Sequence, residues 1–291
     1  MTSFLVLTAA GPLAGDMITA AHQAMPSSLD VAAARRLAPE AAEFAFDGDA
    51  GAALAAVREA LSGAAVDVNV SPAKNRVKRL LISDMDSTII PVECIDEIAD
   101  YAGVKDRVSA ITERAMLGEL DFDTALRERV GLLKDLPVDA LEKAYAERIS
   151  LNPGARELVA GMKQAGALTA LISGGFTFFT ERVAAAAGFD PHQANTLLHA
   201  GGRLTGEVAD PILGREAKLR ALEELTSELG AAPDDAVAVG DGANDLAMIE
   251  AAGLGVAYRA KPAVAARADA RLDHSDLSAI LHLQGFAAPG F

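Results

Sequence analysis

Acidic residues and a lysine stand at the ends of predicted strands and helices. Asp84 and Asp86 belong to the segment DMDST, which follows the apolar run at residues 79–83, and Asp241 follows a second apolar run in the segment VGDGAND. Lys218 opens a predicted helix ahead of that second run. Because parallel sheets bind ligands beyond the carboxyl ends of their strands, we expect these groups at one site. Carboxylates that converge there repel one another unless a cation holds them, and an all-oxygen donor set favours Mg²⁺.

The predicted magnesium site has Asp84 and Asp241 as its direct side-chain ligands, together with the backbone carbonyl of Asp86. Asn244 and Asp245, from the same acidic segment, are predicted to order water or the lysine in the next shell, and Asn244 is also counted as substrate-binding. Alternation along an extended chain places the side chains of Asp84 and Asp86 on one side, where both can face a small substrate. A single acidic pair is more often a solvated loop, so the prediction depends on the combination.

A glycine-containing segment supplies a candidate anion site. Ser173 and Gly174 follow a predicted strand at residues 168–172 and precede a predicted helix at 177–187. The serine hydroxyl and the backbone N–H groups of such a turn can form an anion cradle. Lys218 alone would more often be a solvated surface lysine. Next to the cradle, its ammonium would balance the charge of a phosphoryl group.

The elements that would position these residues indicate an α/β fold. Strands at residues 79–83, 168–172, 236–239 and 254–257 are separated by helices, a pattern typical of a Rossmann-like parallel sheet that is covered on both faces. We assign this core to residues 73–91 and 151–291. Residues 92–150 contain a run of consecutive predicted helices, which we interpret as a helical cap inserted over the site. A Gly201-Gly202 turn predicts a β-hairpin within residues 197–208.

The first 72 residues are predicted to form a separate small domain. Strands at residues 3–9, 31–37, 42–46 and 65–70 and helices at 13–25 and 52–62 give the order β-α-β-β-α-β, which indicates a ferredoxin-like α+β domain. This order resembles an ACT-type domain, which would sense a ligand or form a dimer. A plain packing or oligomer-forming role is an equally good interpretation, and a homodimer is left open.

Composition excludes several classes of protein. The chain has 26 Lys and Arg against 41 Asp and Glu, a net charge of −15, which would repel nucleic acid and anionic membranes. Its single cysteine, Cys94, excludes an internal disulfide and a thiolate zinc cage and fits a reducing compartment. The apolar start lacks a cationic head and is too short to span a membrane, so we expect a cytoplasmic protein.

Taken together, the motifs DMDSTII, SGGF, Lys218 and VGDGAND resemble the motif set of the haloacid dehalogenase superfamily of phosphatases. The resemblance covers about residues 78–283. VECIDEIA after the first motif, and the segment at residues 115–134, are similar to the phosphoserine phosphatase family within that superfamily. The resemblance implies Mg²⁺-dependent hydrolysis of O-phospho-L-serine to L-serine and phosphate, the last step of serine biosynthesis.

The resemblance also implies roles for individual residues. Asp84 is expected to attack phosphorus and form an aspartyl-phosphate, while Asp86 protonates the leaving oxygen and later deprotonates water. In the cap, Glu93 would bind the substrate ammonium and Arg129 its carboxylate. Met116 and Phe122 would form an apolar wall. Each of these four cap residues, taken singly, would be interpreted as helix packing or a solvated charge.

Two further hypotheses remain open at this point. The fold could instead serve a related phosphatase or phosphotransferase that acts on another small phosphomonoester. The N-terminal domain could add a sensing or dimerising function to either activity.

Overall fold

The computed structural model describes residues 2–116, 119–288 and 290 of the 291-residue chain, with only the backbone described for Met116. Within these residues, no helix combines the length and the apolar character that are needed to cross a membrane.

The first elements form an antiparallel sheet with two helices. In chain order they are β1 (Thr2–Thr8), α1 (Gly15–Ala24), β2 (Asp30–Val31), β3 (Arg35–Ala38), β4 (Ala41–Asp47), α2 (Ala50–Ala60) and β5 (Asp67–Pro72). The strands lie in the order β2-β4-β1-β5, and β3 also pairs with β4. The predicted β-α-β-β-α-β order is therefore found, with one difference. The strand predicted at residues 31–37 is two short strands, because the intervening alanines at 32–34 are exposed and bury no face.

The two faces of this small sheet pack against different partners. Leu5 and Leu7 of β1 are buried with the apolar sides of α1 and α2, whereas Val6 between them packs into the main core of the chain. This alternation follows from the two-residue period of a strand. The N-terminal sheet is thus covered by its own helices on one side and by the rest of the chain on the other.

The remaining chain forms a parallel sheet with flanking helices. Its elements are β6 (Leu80–Ser83), α3 (Cys94–Tyr101), α4 (Lys105–Met116), α5 (Phe122–Gly131), α6 (Asp139–Arg148), α7 (Ala155–Gln164), β7 (Leu168–Phe176), α8 (Thr177–Ala187), β8 (His192–Asn195), β9 (Leu197–Ala200), β10 (Arg203–Val208), α9 (Arg215–Glu228), β11 (Ala236–Gly240), α10 (Leu246–Ala251), β12 (Leu254–Tyr258), α11 (Pro262–Ala265), β13 (Ala270–Leu272) and α12 (Ala279–Leu283). The strand order is β13-β12-β11-β6-β7-β8, and every pairing is parallel.

Helices cover both faces of the parallel sheet, as predicted. Leu81 of β6 packs with Leu158 and Met162 of α7 on one face. Leu80 and Ile82 pack on the other face, in a cluster that contains buried residues of α9 and α10. Strands that are buried on both sides need continuous apolar runs, which explains why β6, β7, β11 and β12 could be predicted.

Two predictions about the core need correction. β7 continues through Phe176, so Ser173 and Gly174 lie in an irregular last part of the strand, and not in a turn after it. α9 begins at Arg215, so Lys218 lies in the first turn of the helix and does not open it. The edge strands β8 and β13 were not predicted, because short strands at the edge of a sheet need no continuous apolar run.

The four helices α3–α6 lie between β6 and α7 along the chain, and they pack on one another through buried side chains such as Ile98, Val108 and Leu126. The predicted hairpin is present as β9 and β10, with positive φ at Gly201 and Gly202. Its backbone also pairs with the loop between α5 and α6, where Leu204 donates to the Leu136 carbonyl at 2.9 Å. The hairpin therefore fixes this side of the helical insertion to the core.

Candidate active site

Strands β6, β7 and β11 end beside one cavity of about 510 Å³. Asp84 directly follows β6, Asp241 directly follows β11, and Ser173 lies in the last part of β7. Because β6 lies between β11 and β7 in a parallel sheet, these positions are adjacent at one edge. The cavity is lined by these predicted site residues: Asp84, Asp86, Glu93, Phe122, Arg129, Ser173, Gly174, Asp241 and Asn244. The side chain of Met116, also predicted here, lies outside the described residues.

A buried lysine connects two of the carboxylates. Lys218 Nζ lies 2.7 Å from Asp84 Oδ1 and 2.6 Å from Asp245 Oδ1, and its side chain is 1% exposed. Burial lowers the pKa of Lys218, but Asp245 and Asp84 outweigh burial and hold that pKa above its ordinary value. The first turn of α9 therefore supplies a permanently charged ammonium at the sheet edge.

The carboxylates of Asp84, Asp241 and Asp245 lie close enough to share a cation. One oxygen atom of each lies within 4.8 Å of the others. Both oxygens of Asp245 already accept hydrogen bonds, one from Lys218 and one from the Gly242 N–H at 3.0 Å. Asp245 thus holds the lysine, and Asp84 and Asp241 are better placed than Asp245 as direct ligands.

Burial and mutual repulsion both act on the carboxylates of this cluster. Burial, followed by the charge of Asp245, raises the pKa of Asp84 well above its ordinary value. The same two causes, in the same order, raise the pKa of Asp241 to about 6. Oxygen donors that repel one another in this way are suited to a hard divalent cation. The donor chemistry therefore fits a metal ion.

A glycine in the segment VGDGAND leaves the space that the Asp245 side chain occupies. Gly240 ends β11, and a Cβ atom built on it would lie 2.4 Å from Cγ of Asp245. Any larger residue at this position would displace the carboxylate that orders Lys218. The glycines of VGDGAND thus belong to the site, although the sequence interpretation treated only the polar residues as functional.

Asp86 lies in the same cavity with a different environment. Burial, followed by the charge of Glu93, raises the pKa of Asp86 to about 7. Its Oδ1 accepts a hydrogen bond from the Cys94 N–H at 3.2 Å, at the start of α3. A carboxyl group with a pKa near neutrality can both donate and accept a proton at physiological pH, which suits general acid–base chemistry.

The Ser173 segment lies beside Asp86, since a Cβ atom built on Gly175 would lie 2.6 Å from Asp86 Oδ2. The Ser173 side chain is buried, and its Oγ accepts the Gly175 N–H at 2.9 Å. Because that oxygen accepts from the backbone, its own proton is available to donate. The segment therefore offers a hydroxyl donor that the backbone orients.

The helical insertion contributes opposite charges and an aromatic ring. Arg129 is half-buried on α5, where its Nε donates to the Ala125 carbonyl at 3.2 Å and its Nη1 to Thr112 Oγ1 at 3.4 Å. Glu93 directly precedes α3, and its Oε1 accepts a hydrogen bond from the Ser87 hydroxyl at 2.7 Å. Phe122 lies against Gly174. The structure thus brings the cap and core candidates into one cavity.

Sequence reasoning missed several cavity residues and their partners. Thr112 of α4 and Lys261 after β12 both line the cavity. Lys261 could have been found, because it follows a predicted strand at the same edge of the sheet. Thr112 had no such signal, since its relevance comes from its hydrogen bond to Arg129.

Comparisons with known proteins agree on one family. A family model of haloacid dehalogenase-like hydrolases matches residues 81–250. A phosphoserine phosphatase of Archaeoglobus fulgidus is 49% identical over 203 residues, which cover 70% of this chain and 59% of that protein. The chain thus spans less than two thirds of the length of that relative.

Solved structures give the same picture. A probable phosphoserine phosphatase from Vibrio cholerae, in its unliganded form, has 34% identity and a TM-score of 0.82, with 98% of this chain and 87% of that chain covered. A phosphoserine phosphatase solved as a phospho-aspartyl intermediate analogue has 43% identity and a TM-score of 0.66, with 71% and 98% covered.

Proposed function

Since the chain belongs to the haloacid dehalogenase-like hydrolases, within the group that contains the phosphoserine phosphatases, we propose that it hydrolyses O-phospho-L-serine to L-serine and phosphate. The observation that carries this proposal is one cavity that combines three kinds of group. It holds a carboxylate paired with a buried lysine, a second carboxyl with a pKa near 7, and a separate cation and anion on the cap side.

The metal in this proposal is Mg²⁺, held by Asp84 and Asp241, with the backbone carbonyl of Asp86 as the expected third protein ligand. An all-oxygen donor set suits Mg²⁺ better than a softer metal. When bound, the ion would neutralise the repulsion among the carboxylates and part of the phosphoryl charge. Asp245 and Asn244 would support the ligands from beside them.

Asp84 is the proposed nucleophile. Its Oδ1 accepts hydrogen bonds from both Lys218 and the Met85 N–H, each at 2.7 Å, so we assign the attack to Oδ2. In the first step an Asp84 Oδ2–P bond forms and the bond from phosphorus to the serine oxygen breaks. Lys218 and the Ser173–Gly174 cradle would stabilise the charge on the phosphoryl oxygens.

Asp86 is the proposed general acid and base. In the first step it gives its proton to the departing serine oxygen, which is a poor leaving group without it. In the second step it takes a proton from water while that water forms a bond to phosphorus and the Asp84 Oδ2–P bond breaks. A pKa of about 7 leaves both protonation states populated near neutrality, so one residue can serve both steps.

The cap side of the cavity matches the amino-acid part of the substrate. Glu93 would pair with the ammonium group and Arg129 with the carboxylate, which its planar guanidinium can bind through two donors. Phe122 and Met116 would provide the apolar wall around them. A phosphomonoester without these two charges would leave Arg129 and Glu93 without ligand partners.

Two alternatives remain as competing proposals with the same fold. The enzyme could act on another small phosphomonoester, or it could transfer the phosphoryl group to an acceptor other than water. We also place the reaction in the cytoplasm, because a single cysteine fits a reducing compartment and the expected product is a metabolic amino acid.

The role of the N-terminal domain remains a separate hypothesis. Its sheet packs against the main core on one face, so a sensing or dimerising surface would have to use α1, α2 or a sheet edge. Sedimentation of the full chain with and without serine tests both roles. If removal of this domain leaves the number of subunits and the response of turnover to serine unchanged, the plain packing role is favoured.

The proposal is tested by measuring phosphate release from L-phosphoserine with Mg²⁺ and, as a control, with excess chelator. Phosphothreonine and sugar phosphates serve as comparison substrates. We expect metal-dependent release that is fastest for phosphoserine. Mass spectrometry of rapidly quenched reactions should find phosphate on Asp84. Preferred hydrolysis of a sugar phosphate, or an adduct on another residue, would contradict the proposal.

A further inference from the structure

Asn195 is a buried amide that joins two segments of the active-site edge. It is the last residue of β8 and is 2% exposed. Its Nδ2 donates to the Gly174 carbonyl at 2.8 Å and to the Leu213 carbonyl at 3.1 Å. Its Oδ1 accepts the Leu213 N–H at 2.7 Å. One side chain therefore fixes the distance between Gly174 and Leu213.

Both segments lead directly to groups of the proposed mechanism. Gly174 adjoins Ser173 in the phosphate cradle. Leu213 precedes Gly214, which is the N-cap residue of α9, and Lys218 lies in the first turn of that helix. A change in the position of either segment would change the distance between the cradle and the lysine that face the same phosphoryl group.

The two segments also form the surface against which Phe122 packs. A Cβ atom built on Gly174 would lie 3.2 Å from Cζ of Phe122, and one built on Gly214 would lie 3.1 Å from Cδ1 of the same ring. The ring of Phe122 thus sits over two glycines, which Asn195 holds side by side. We call this pair of glycines the Phe122 seat.

We propose that Asn195 is a positioning residue, which holds the phosphate cradle and the Phe122 seat in the geometry that the reaction needs. This inference rests on the proposed function and extends it to a residue that contacts neither the substrate nor the metal. Asn195 acts only through the backbone of Gly174 and of Leu213.

The test is the isosteric variant Asn195→Asp. The aspartate keeps an acceptor for the Leu213 N–H but places a carboxylate oxygen against the carbonyl oxygens of Gly174 and Leu213, so these two segments should move apart. We expect the dissociation constant of inorganic phosphate, measured calorimetrically with Mg²⁺, to rise about tenfold, and kcat to fall on the order of 10- to 100-fold. KM for phosphoserine should rise as well.

The matched control is Asn69→Asp. Asn69 is also a buried amide, and it exchanges two hydrogen bonds with the backbone of Arg271, each at 2.9 Å, at the N-terminal interface. The new carboxylate would face the Arg271 carbonyl and also the Arg58 guanidinium, which donates to Asn69 Oδ1 at 3.3 Å, so its effect should be confined to the stability of this interface, with phosphate affinity, KM and kcat kept. If Asn195→Asp behaves like this control, and loses only stability, the positioning role is overturned.

Two of the measurements test the role of Asn195 even if phosphoserine is not the substrate. Calorimetric binding of inorganic phosphate and hydrolysis of p-nitrophenyl phosphate require no amino-acid recognition. A wild-type enzyme that ignores phosphoserine but cleaves the aryl phosphate would refute the substrate assignment, and the effect of Asn195→Asp could still be measured.

A second variant covers the case in which Asn195→Asp does not fold. Gly214→Ala leaves Asn195 in place, and the backbone of Gly214 has a φ of −114°, which alanine adopts freely. Its methyl group should displace the Phe122 ring by a few tenths of an ångström. We expect KM for phosphoserine to rise about two- to fivefold with phosphate affinity unchanged. An unchanged KM would remove the Phe122 seat from the proposal.

Discussion

Two groups of buried polar side chains in this molecule are satisfied in opposite ways. At the interface between the N-terminal sheet and the core, Asp67 accepts hydrogen bonds from the backbone N–H groups of Asp273, His274 and Ser275, at 2.8–3.2 Å. We call these contacts the Asp67 anchor. At the edge of the parallel sheet, Lys218 is shared between Asp84 and Asp245, and the pKa values of Asp84, Asp86 and Asp241 are raised.

The comparison shows that burial of acidic groups does not by itself mark a functional site. The chain supplies Asp67 with its own fixed donors, so this acid ties two parts of the structure together. The acids at the sheet edge exceed the donors around them, which costs folding free energy and leaves room for a cation and a phosphoryl group. A buried acidic cluster therefore indicates a functional site when its carboxylates outnumber the hydrogen-bond donors that the chain places around them.

The two regions should differ most in how an Asp→Asn change affects turnover, and the largest effect is expected for Asp84→Asn at the sheet edge. An amide cannot act as the nucleophile, so we expect phosphate release to fall by more than about 10⁴-fold. The thermal stability of the metal-free variant should change little, because the asparagine Oδ1 can still accept hydrogen bonds from Lys218 and from the Met85 N–H. Assays of phosphate release measure the effect on turnover, and thermal unfolding measures the effect on stability.

The control for this variant is Asp67→Asn, which makes the same chemical change in the anchor. It should retain turnover within about twofold, because Asp67 lies at the other interface and contacts no group of the mechanism. Substantial turnover by Asp84→Asn would contradict the assignment of the nucleophile.

Arg129→Ala tests a cation that faces the same cavity but is not bonded to the carboxylates. The variant removes the proposed partner of the substrate carboxylate, so kcat/KM for phosphoserine should fall on the order of 100-fold. Hydrolysis of p-nitrophenyl phosphate should change by less than about threefold, because that substrate has no carboxylate. Equal losses on both substrates would show that Arg129 supports the site in general and does not determine specificity.

Asp67→Asn also has an effect of its own in the anchor. The amide keeps one acceptor oxygen, while its NH₂ group faces backbone N–H donors that were satisfied by the carboxylate. We expect the free energy of unfolding to fall by about 1–3 kcal/mol, as measured by denaturant titration. A stability equal to that of the wild type would mean that the anchor contributes little to the docking of the N-terminal sheet.

The sequence predicted those parts of the fold and site that depend on periodicity and topology. β6 and β11 are apolar runs because both of their faces are buried, and the rule that ligands bind at strand ends then places Asp84 and Asp241 together. The polar edge strand β8 has no such pattern and was missed. Asn195 was missed with it, because its importance lies in the two segments it joins.

Other features of the site depend on distances that no sequence pattern gives. The pKa of about 7 for Asp86 results from burial and from the proximity of Glu93, which only the folded chain establishes. The split of the predicted strand at residues 31–37 has a similar origin, since the alanines at 32–34 are exposed and bury no apolar face. Residues near the cap entered the prediction through family resemblance, because singly they look like ordinary helix residues.

The smallest expected effect is the dependence of metal stabilisation on pH. The folded-state pKa values of Asp86 and Asp241, about 7 and about 6, lie above the ordinary value of 3.8, so the folded metal-free chain holds more protons than the unfolded chain between about pH 4 and 7. Its stability therefore falls as the pH rises through this window. Mg²⁺ would bind the deprotonated carboxylates of Asp84 and Asp241 and should offset the part of the loss that comes from Asp241. We expect Mg²⁺ to raise the melting temperature by about 2–4 °C more at pH 8 than at pH 5, in scanning fluorimetry.

Asp241→Asn serves as the control for this measurement, because it removes a proposed ligand and a titrating group together. The variant should lose most of the response to Mg²⁺ at pH 8 and part of the fall in metal-free stability between pH 4 and 7. Asp67→Asn, by contrast, should keep the wild-type response to the metal at both pH values, since the anchor has its own donors. An equal shift at pH 5 and pH 8 in the wild type would show that the carboxylates at the sheet edge are not the groups that bind the ion.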